Sequence, residues 1–81
     1  MFITYIIYSS KLDRFYIGYT SDLVKRLIEH NSGISQFTSK ASDWVLKYQK
    51  VFDTRTEAHL HEIFIKKKKS RQFIHFLIQN Q

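Results

Sequence analysis

The chain has no cysteine among its 81 residues, so neither a disulfide framework nor a thiolate metal site is available to it. No segment approaches the ~18 consecutive apolar residues of a membrane span. The start, MFITYII, has neither the basic segment nor the small-residue cleavage site of a secretory leader. These absences predict a soluble, unexported protein of the cytoplasm that makes no membrane contact. There are only two glycines and no Gly-rich phosphate loop, and no Ser/His/Asp or Cys/His arrangement offers a covalent nucleophile. Acid is missing from one end. Residues 1–65 carry eight Lys/Arg against seven Asp/Glu, whereas residues 66–81 carry five against none. The net charge of +6 therefore comes mainly from KKKKSR, Lys66 to Arg71. Such a stretch matches a phosphate backbone, and it is equally what a solvated helix C-terminus carries. Of four histidines, His59 and His61 project about 160° apart on a helix. His30 and His75 have no companion at ligand spacing, which argues against zinc.

What the chain does contain is a core. Its 43% hydrophobic content, with seven Phe, five Tyr and one Trp, argues against disorder. At this length one domain, residues 1–81, is expected, with roughly 60% of the unfolded surface buried on folding. Phe2 to Tyr8, FITYIIY, is β-rich with little polar alternation, as in a central strand covered on both faces. Ser9 to Arg14 supplies a polar turn without glycine, and Phe15 to Tyr19 a second strand, so an antiparallel hairpin is expected. After a Ser-rich loop from Ile34 to Asp43, Trp44 to Phe52 reads as a third strand. It places Trp44, Leu46, Tyr48 and Phe52 on one side, with Lys47 and Gln49 on the other.

Three helices complete the pattern. Ser21 or Asp22 caps a helix from about Leu23, in which Leu23, Val24, Leu27 and Ile28 span about 140° of core-facing surface. Lys25 and Glu29 point away, Arg26 and His30 share one shoulder, and Asn31-Ser32-Gly33 ends the helix. Thr54-Arg55-Thr56-Glu57 is a capping box. It opens a helix from about Arg55 to Lys69 with Leu60, Ile63 and Phe64 as its core stripe, and with Glu62 on a different side beside Lys66 and His59. Ser70 caps a last helix whose Phe73, Ile74, Leu77 and Ile78 form a stripe over the core. The expected class is α/β in the broad sense (α+β), a small three-stranded, mostly antiparallel sheet flanked by helices.

The stretch FYIGYTSDLVKRLIEHNSG, Phe15 to Gly33, joins a strand end, a turn and a helix start, and brings Tyr16, Arg26 and His30 toward one groove. Its YIG, with T-S-D-L, K-R-L, E-H and N-S-G after it, resembles the second half of the GIY-YIG nuclease signature. Ile3-Thr4-Tyr5 stands where the first half belongs, with Ile3 in place of its first glycine. Ala58 to Glu62, with Lys66, resembles the later helix that supplies the family's metal-binding glutamate, so the likeness runs from about Phe2 to Leu77. Tyr19 stands where some members place a lysine, and the last helix shows no counterpart of the asparagine some members carry. The resemblance implies a metal-dependent endonuclease acting on DNA, with RNA as the other candidate, in the manner of a small single-domain bacterial type.

Phosphodiester hydrolysis needs an activated water, a cation near the developing phosphoryl charge and stabilisation of the leaving oxygen. Glu62 is a hard oxygen ligand suited to Mg²⁺ or Mn²⁺ completed by waters and substrate phosphate. Arg26 offers a planar fork that grips phosphate bidentately. Tyr16 or His30 takes the proton from water, and Tyr5 orients water or phosphate. The resemblance implies a tyrosine of the second strand motif as the base and a His or Tyr at the position of His30. Lys66, Lys67, Lys68, Lys69 and Arg71 are the candidate nucleic-acid contacts. Two other classes stay open. One is a nucleic-acid-binding module that keeps the scaffold and basic face without chemistry; the other is a partner-binding scaffold in which the lysines serve solubility.

Overall fold

The computed structural model describes residues 1–81. Three strands, β1 (Phe2–Ser9), β2 (Arg14–Thr20) and β3 (Val45–Phe52), form one antiparallel sheet in the order β2-β1-β3. The apolar strand β1 is central, as its lack of polar alternation requires. Thr4, Tyr5, Ile6 and Ile7 are buried in succession, two toward each face. The fold is α+β. No helix is long and apolar enough to cross a membrane.

The β1–β2 hairpin closes without glycine because Asp13 adopts the left-handed region (φ 51°), which a short polar side chain tolerates better than a branched one. Its carboxylate accepts the Tyr8 hydroxyl at 2.6 Å and the Arg71 guanidinium at 2.8 Å. The turn is thereby tied to the start of the last helix.

The third strand departs from simple alternation. Ile6 pairs with Tyr48 and Ile7 with Leu46, so Lys47 is an extra residue in a β-bulge. The bulge resets the pleat. Trp44 and Leu46 join the cluster of Tyr5 and Ile7 on one face, whereas Tyr48 joins Ile6 and Ile65 on the other. The expectation that Leu46 and Tyr48 share a side is corrected, because strict period two holds only where the ladder is unbroken.

On the first face lie α1 (Leu23–Asn31) and the loop after it. Asp22 is the N-cap and accepts from the Lys25 amide at 3.1 Å. Leu23 and Leu27 pack on Tyr5, Ile7, Ala41 and Trp44, but Val24 and Ile28 are 73% and 62% exposed. The expected apolar stripe is therefore rotated: the inward face is Leu23, Arg26, Leu27 and His30, and His30 is fully buried rather than on a shoulder. A buried polar network outweighs the two aliphatic side chains because hydrogen bonds satisfy it. Asn31 clamps the returning chain, its Oδ1 accepting the Trp44 amide at 2.7 Å and its Nδ2 donating to the Trp44 carbonyl at 3.0 Å. Asp43 accepts from Ser9, Ser10 and the Lys11 amide, fastening the loop to the hairpin.

The second face carries α2 (Arg55–Lys68) and α3 (Arg71–Gln79). Thr54 caps α2 through the Glu57 amide, and the Glu57 carboxylate accepts the Thr54 hydroxyl at 3.0 Å rather than returning to its backbone. The core stripe of α2 also differs from expectation. Ala58 and Ile65 are buried with His61 and Glu62 partly so, whereas Leu60 and Phe64 are 58% and 47% exposed. Small Ala58 lets the helix approach β1 closely enough for the Thr4 hydroxyl to donate to its carbonyl at 2.7 Å. Ser70 caps α3 as expected, and Phe73, Ile74, Leu77 and Ile78 pack over Ile6, Tyr48 and Ile65.

Candidate active site

The site is built around Tyr5. In the β1–β2 register Tyr5 stands opposite Gly18, and its ring lies where a side chain at 18 would be. A Cβ built on Gly18 meets the Tyr5 hydroxyl oxygen at 2.7 Å, its Cζ at 2.9 Å and Tyr16 Cε1 at 3.2 Å. The glycine of the YIG stretch is thus a matter of space, not of backbone freedom.

The Tyr5 hydroxyl, on a residue 1% exposed, shares a 2.8 Å hydrogen bond with His30 Nε2, and His30 Nδ1 shares one of 2.7 Å with the Thr38 hydroxyl. Thr38 is itself buried, and its carbonyl accepts the indole N–H of Trp44 at 2.9 Å. Tyr16 leans on the same ring, its centroid 4.9 Å from that of His30 and 6.5 Å from that of Tyr5. A neutral imidazole needs one hydroxyl to donate to and one to accept from, and the two neighbours satisfy it.

Charge enters from two sides. Arg26, from α1, pairs with Glu29 at 3.1 Å. Burial pulls its pKa down, but Glu29, Tyr5 and Tyr16 outweigh this and raise it, so Arg26 stays cationic. Burial pushes Tyr5 up to about 12, with Arg26 opposing and the charges of Tyr16 and Glu62 adding to the rise. Burial and then Arg26 pull His30 down to about 4, with Glu29 opposing. At neutral pH the core of the site is therefore a protonated tyrosine and a neutral histidine beside a fixed guanidinium.

Glu62 comes from α2 and reaches Tyr5 through its charge. Its side chain is 13% exposed; Oε2 pairs with Lys66, and no protein group donates to Oε1. Toward the outside of Arg26 a shallow hollow of about 330 Å³ opens, lined by Thr20, Ser21, Asp22, Lys25, Arg26 and Glu29. The structure thus brings Tyr5, Tyr16, Arg26 and His30 together on one face, with Glu62 in electrostatic reach.

The basic run is dispersed. Lys66 pairs with Glu62, Arg71 with Asp13, and Lys68 lies over the Phe64 ring, its Nζ 5.0 Å from the centroid. Lys67 is exposed at the end of α2, and Lys69, also exposed, caps it with φ 46°. Sequence reasoning did not single out Thr38, Asn31 or Gly18 as site residues. A lone glycine inside a strand pattern was a usable signal for Gly18, whereas nothing in a Ser/Thr-rich loop distinguishes Thr38.

A strand glycine under a buried tyrosine, a histidine and arginine on the next helix, and a glutamate on a later one describe one kind of domain. The chain belongs to the GIY-YIG family: the model of the GIY-YIG catalytic domain, which defines a nuclease superfamily, matches residues 1–74. Among curated relatives it is similar to a UPF0213 protein of Streptococcus pneumoniae serotype 4, at 40% identity over 68 residues, covering 83% of this chain and 69% of that one. It is similar also to UPF0213 proteins of Staphylococcus saprophyticus (42% over 52 residues, 63% of each chain) and Streptococcus pyogenes serotype M5 (42% over 57 residues, 69% of this chain and 62% of that one). No solved structure matches.

Proposed function

We propose that this chain is a single-domain nuclease that hydrolyses phosphodiester bonds in DNA with a divalent cation, as a cytoplasmic DNA-processing enzyme. The observation that carries the reading is the convergence on the Tyr5 hydroxyl: it shares a 2.8 Å hydrogen bond with His30, the Tyr16 ring stands 6.5 Å from its own, and Arg26 of α1 and Glu62 of α2 bring their charges to bear on it. A structural tyrosine needs one hydrogen-bond partner, not a cation, a second phenol and a carboxylate.

The chain has no group of three or more His, Cys, Asp or Glu able to hold a metal. A lone carboxylate with Oε1 available fits Mg²⁺ or Mn²⁺, which keep several waters and take ligands from substrate phosphate. Bound by Glu62, such an ion supplies Lewis-acid stabilisation of phosphoryl charge. Arg26 orients the phosphate with the part of its fork not given to Glu29. Tyr5, held protonated and aimed by His30, keeps its hydroxyl fixed as an orienting group. His30 is fully buried with both ring nitrogens bonded, and this favours Tyr16 as the group that takes the proton from water. In that role Tyr16 accepts the water proton as the new P–O bond forms; the bond to the leaving oxygen breaks, and that oxygen departs with the electron pair and takes a proton from solvent.

Purified wild type and Glu62→Gln are incubated with duplex, nicked and branched DNA and with RNA, with and without Mg²⁺ or Mn²⁺. Metal-dependent cleavage abolished by Glu62→Gln, with fold and binding kept, is expected. Cleavage retained in the variant sinks the role of Glu62. A second reading, binding without turnover, is favoured by the pairing of Arg26 with Glu29; it requires binding with no cleavage by either protein under any condition.

A further inference from the structure

On α2 the residues that meet the active-site side and those that do not lie on opposite flanks. His59 contacts the Tyr19 ring edge-on at 5.1 Å, on the β2 side, near Lys66 and Glu62. Across the helix, at i, i+3 and i+7, stand His61, Phe64 and Lys68. They continue into an aromatic surface. The His61 and Phe64 rings stack at 6.1 Å, Phe64 meets Phe73 edge-on at 5.7 Å, and Phe73 stacks on Phe76 at 6.3 Å. Phe52 of β3 closes the row, 5.3 Å from His61. Phe64 and Phe76 are 47% and 57% exposed, so part of each ring is open to solvent although His61 and Lys68 lie against Phe64 and Phe73 against one side of Phe76.

The cations of this surface are not paired with acids. Lys68 Nζ lies 5.0 Å from the Phe64 centroid and 5.5 Å from that of Phe73, and Lys50 Nζ lies 5.5 Å from that of Phe52. Neither lysine takes part in any of the three ion pairs of the protein. The acid on this flank, Glu57, stands one turn before His61 and already accepts the Thr54 hydroxyl. Partly exposed aromatic rings interleaved with ammonium groups that no acid pairs complement a flexible polyanion that carries flat apolar rings. A second protein surface of ordinary composition does not need two uncompensated lysines among its aromatics.

We propose that this flank of α2 and α3 is a second nucleic-acid contact, on which unpaired bases of a single strand stack against Phe64 and Phe76 while Lys50 and Lys68 take the phosphates. This deepens the nuclease reading by substrate class: the preferred substrate carries a single-stranded segment beside the bond to be cut. The surface is tested by binding alone, so its failure is distinct from failure of the catalytic assignment.

The experiment measures fluorescence anisotropy of a labelled oligothymidine of about a dozen nucleotides, with no divalent metal. Phe76→Ala and Phe64→Leu are each expected to weaken binding roughly 5- to 100-fold, with binding to a duplex of the same length unchanged. Removing bases but not phosphates from the oligonucleotide should weaken wild type about as much and the variants little further. An oligouridine that loses affinity in the same variants also supports the proposal, since stacking reads the base face and not the sugar. Phe76 is exposed enough to truncate safely and Phe64→Leu keeps an apolar side chain, so folding is retained and checked by circular dichroism. Unchanged affinity for oligothymidine overturns the proposal. So does an equal loss on duplex, or a change from dimer to monomer in sedimentation with affinity unaltered, which would make the surface a self-association face.

Discussion

Acidification from pH 7 to pH 4 should destabilise this protein mainly through one residue. His30 is fully buried between Tyr5, Tyr16 and Thr38 with Arg26 beside it, and its pKa falls from 6.5 to about 4. The folded state therefore holds the proton less tightly than the unfolded chain does. Between those values the unfolded state binds more protons, so its contribution is present above pH 6.5 and is lost as the pH falls toward 4. At about 1.4 kcal/mol for each pH unit the contribution is about 3 kcal/mol, against a total of roughly 4–12 kcal/mol for a domain of this size. Asp13, whose pKa falls from 3.8 to about 2 beside Arg71 and Tyr8, acts in a lower window. His61, lowered by burial and by Lys50, acts in the same direction as His30, so the measurement must be a difference. Urea unfolding of wild type and His30→Gln from pH 7.5 to 4 isolates the residue: the two stability curves should converge by about 3 kcal/mol as the pH falls. Curves that stay parallel across that range would refute the claim that His30 is held neutral by its surroundings.

Other consequences are as direct. Gly18→Ala forces Tyr5 away from His30, because the added Cβ lies 2.7 Å from the hydroxyl oxygen; a stability loss of about 1–3 kcal/mol and a Tm fall of roughly 4–20 °C are expected, and an unchanged Tm would show that the ring is not confined. Arg26→Lys should lower single-turnover cleavage roughly 100-fold or more, since an ammonium cannot make the paired phosphate contact; a near wild-type rate would make Arg26 structural. Converting Lys67 and Lys69 to Gln should make the slope of log K against log salt on duplex DNA shallower by roughly 2, about 0.9 for each phosphate contact. An unchanged slope would leave those lysines as a solvated helix end.

Much of the architecture was written in local pattern. The unalternating FITYIIY determined a central strand, the polar Ser9–Arg14 segment a hairpin, and Ser21 or Asp22 (the structure uses Asp22), Thr54 and Ser70 the starts of all three helices, because caps and strand burial depend on nearest neighbours. The order of Tyr5, Tyr16, Arg26, His30 and Glu62 likewise pointed to the family that residues 1–74 match. Which face each helix buries was not legible. Counting apolar residues puts Val24 and Ile28 inward, yet in α1 the hydrogen-bonded His30 takes that place, and the Thr38 that completes its bonding is brought by a loop with no periodic signal. Nor does period two reveal the bulge at Lys47, which sends Leu46 and Tyr48 to opposite faces. Of the basic stretch, the pairing of Lys66 with Glu62 follows helical spacing and was legible, whereas that of Arg71 with Asp13 joins residues 58 apart along the chain and was not. Composition and spacing sufficed for elements and their ends; the protonation state of the site and the surfaces left open were decided only when the sheet brought distant side chains into contact.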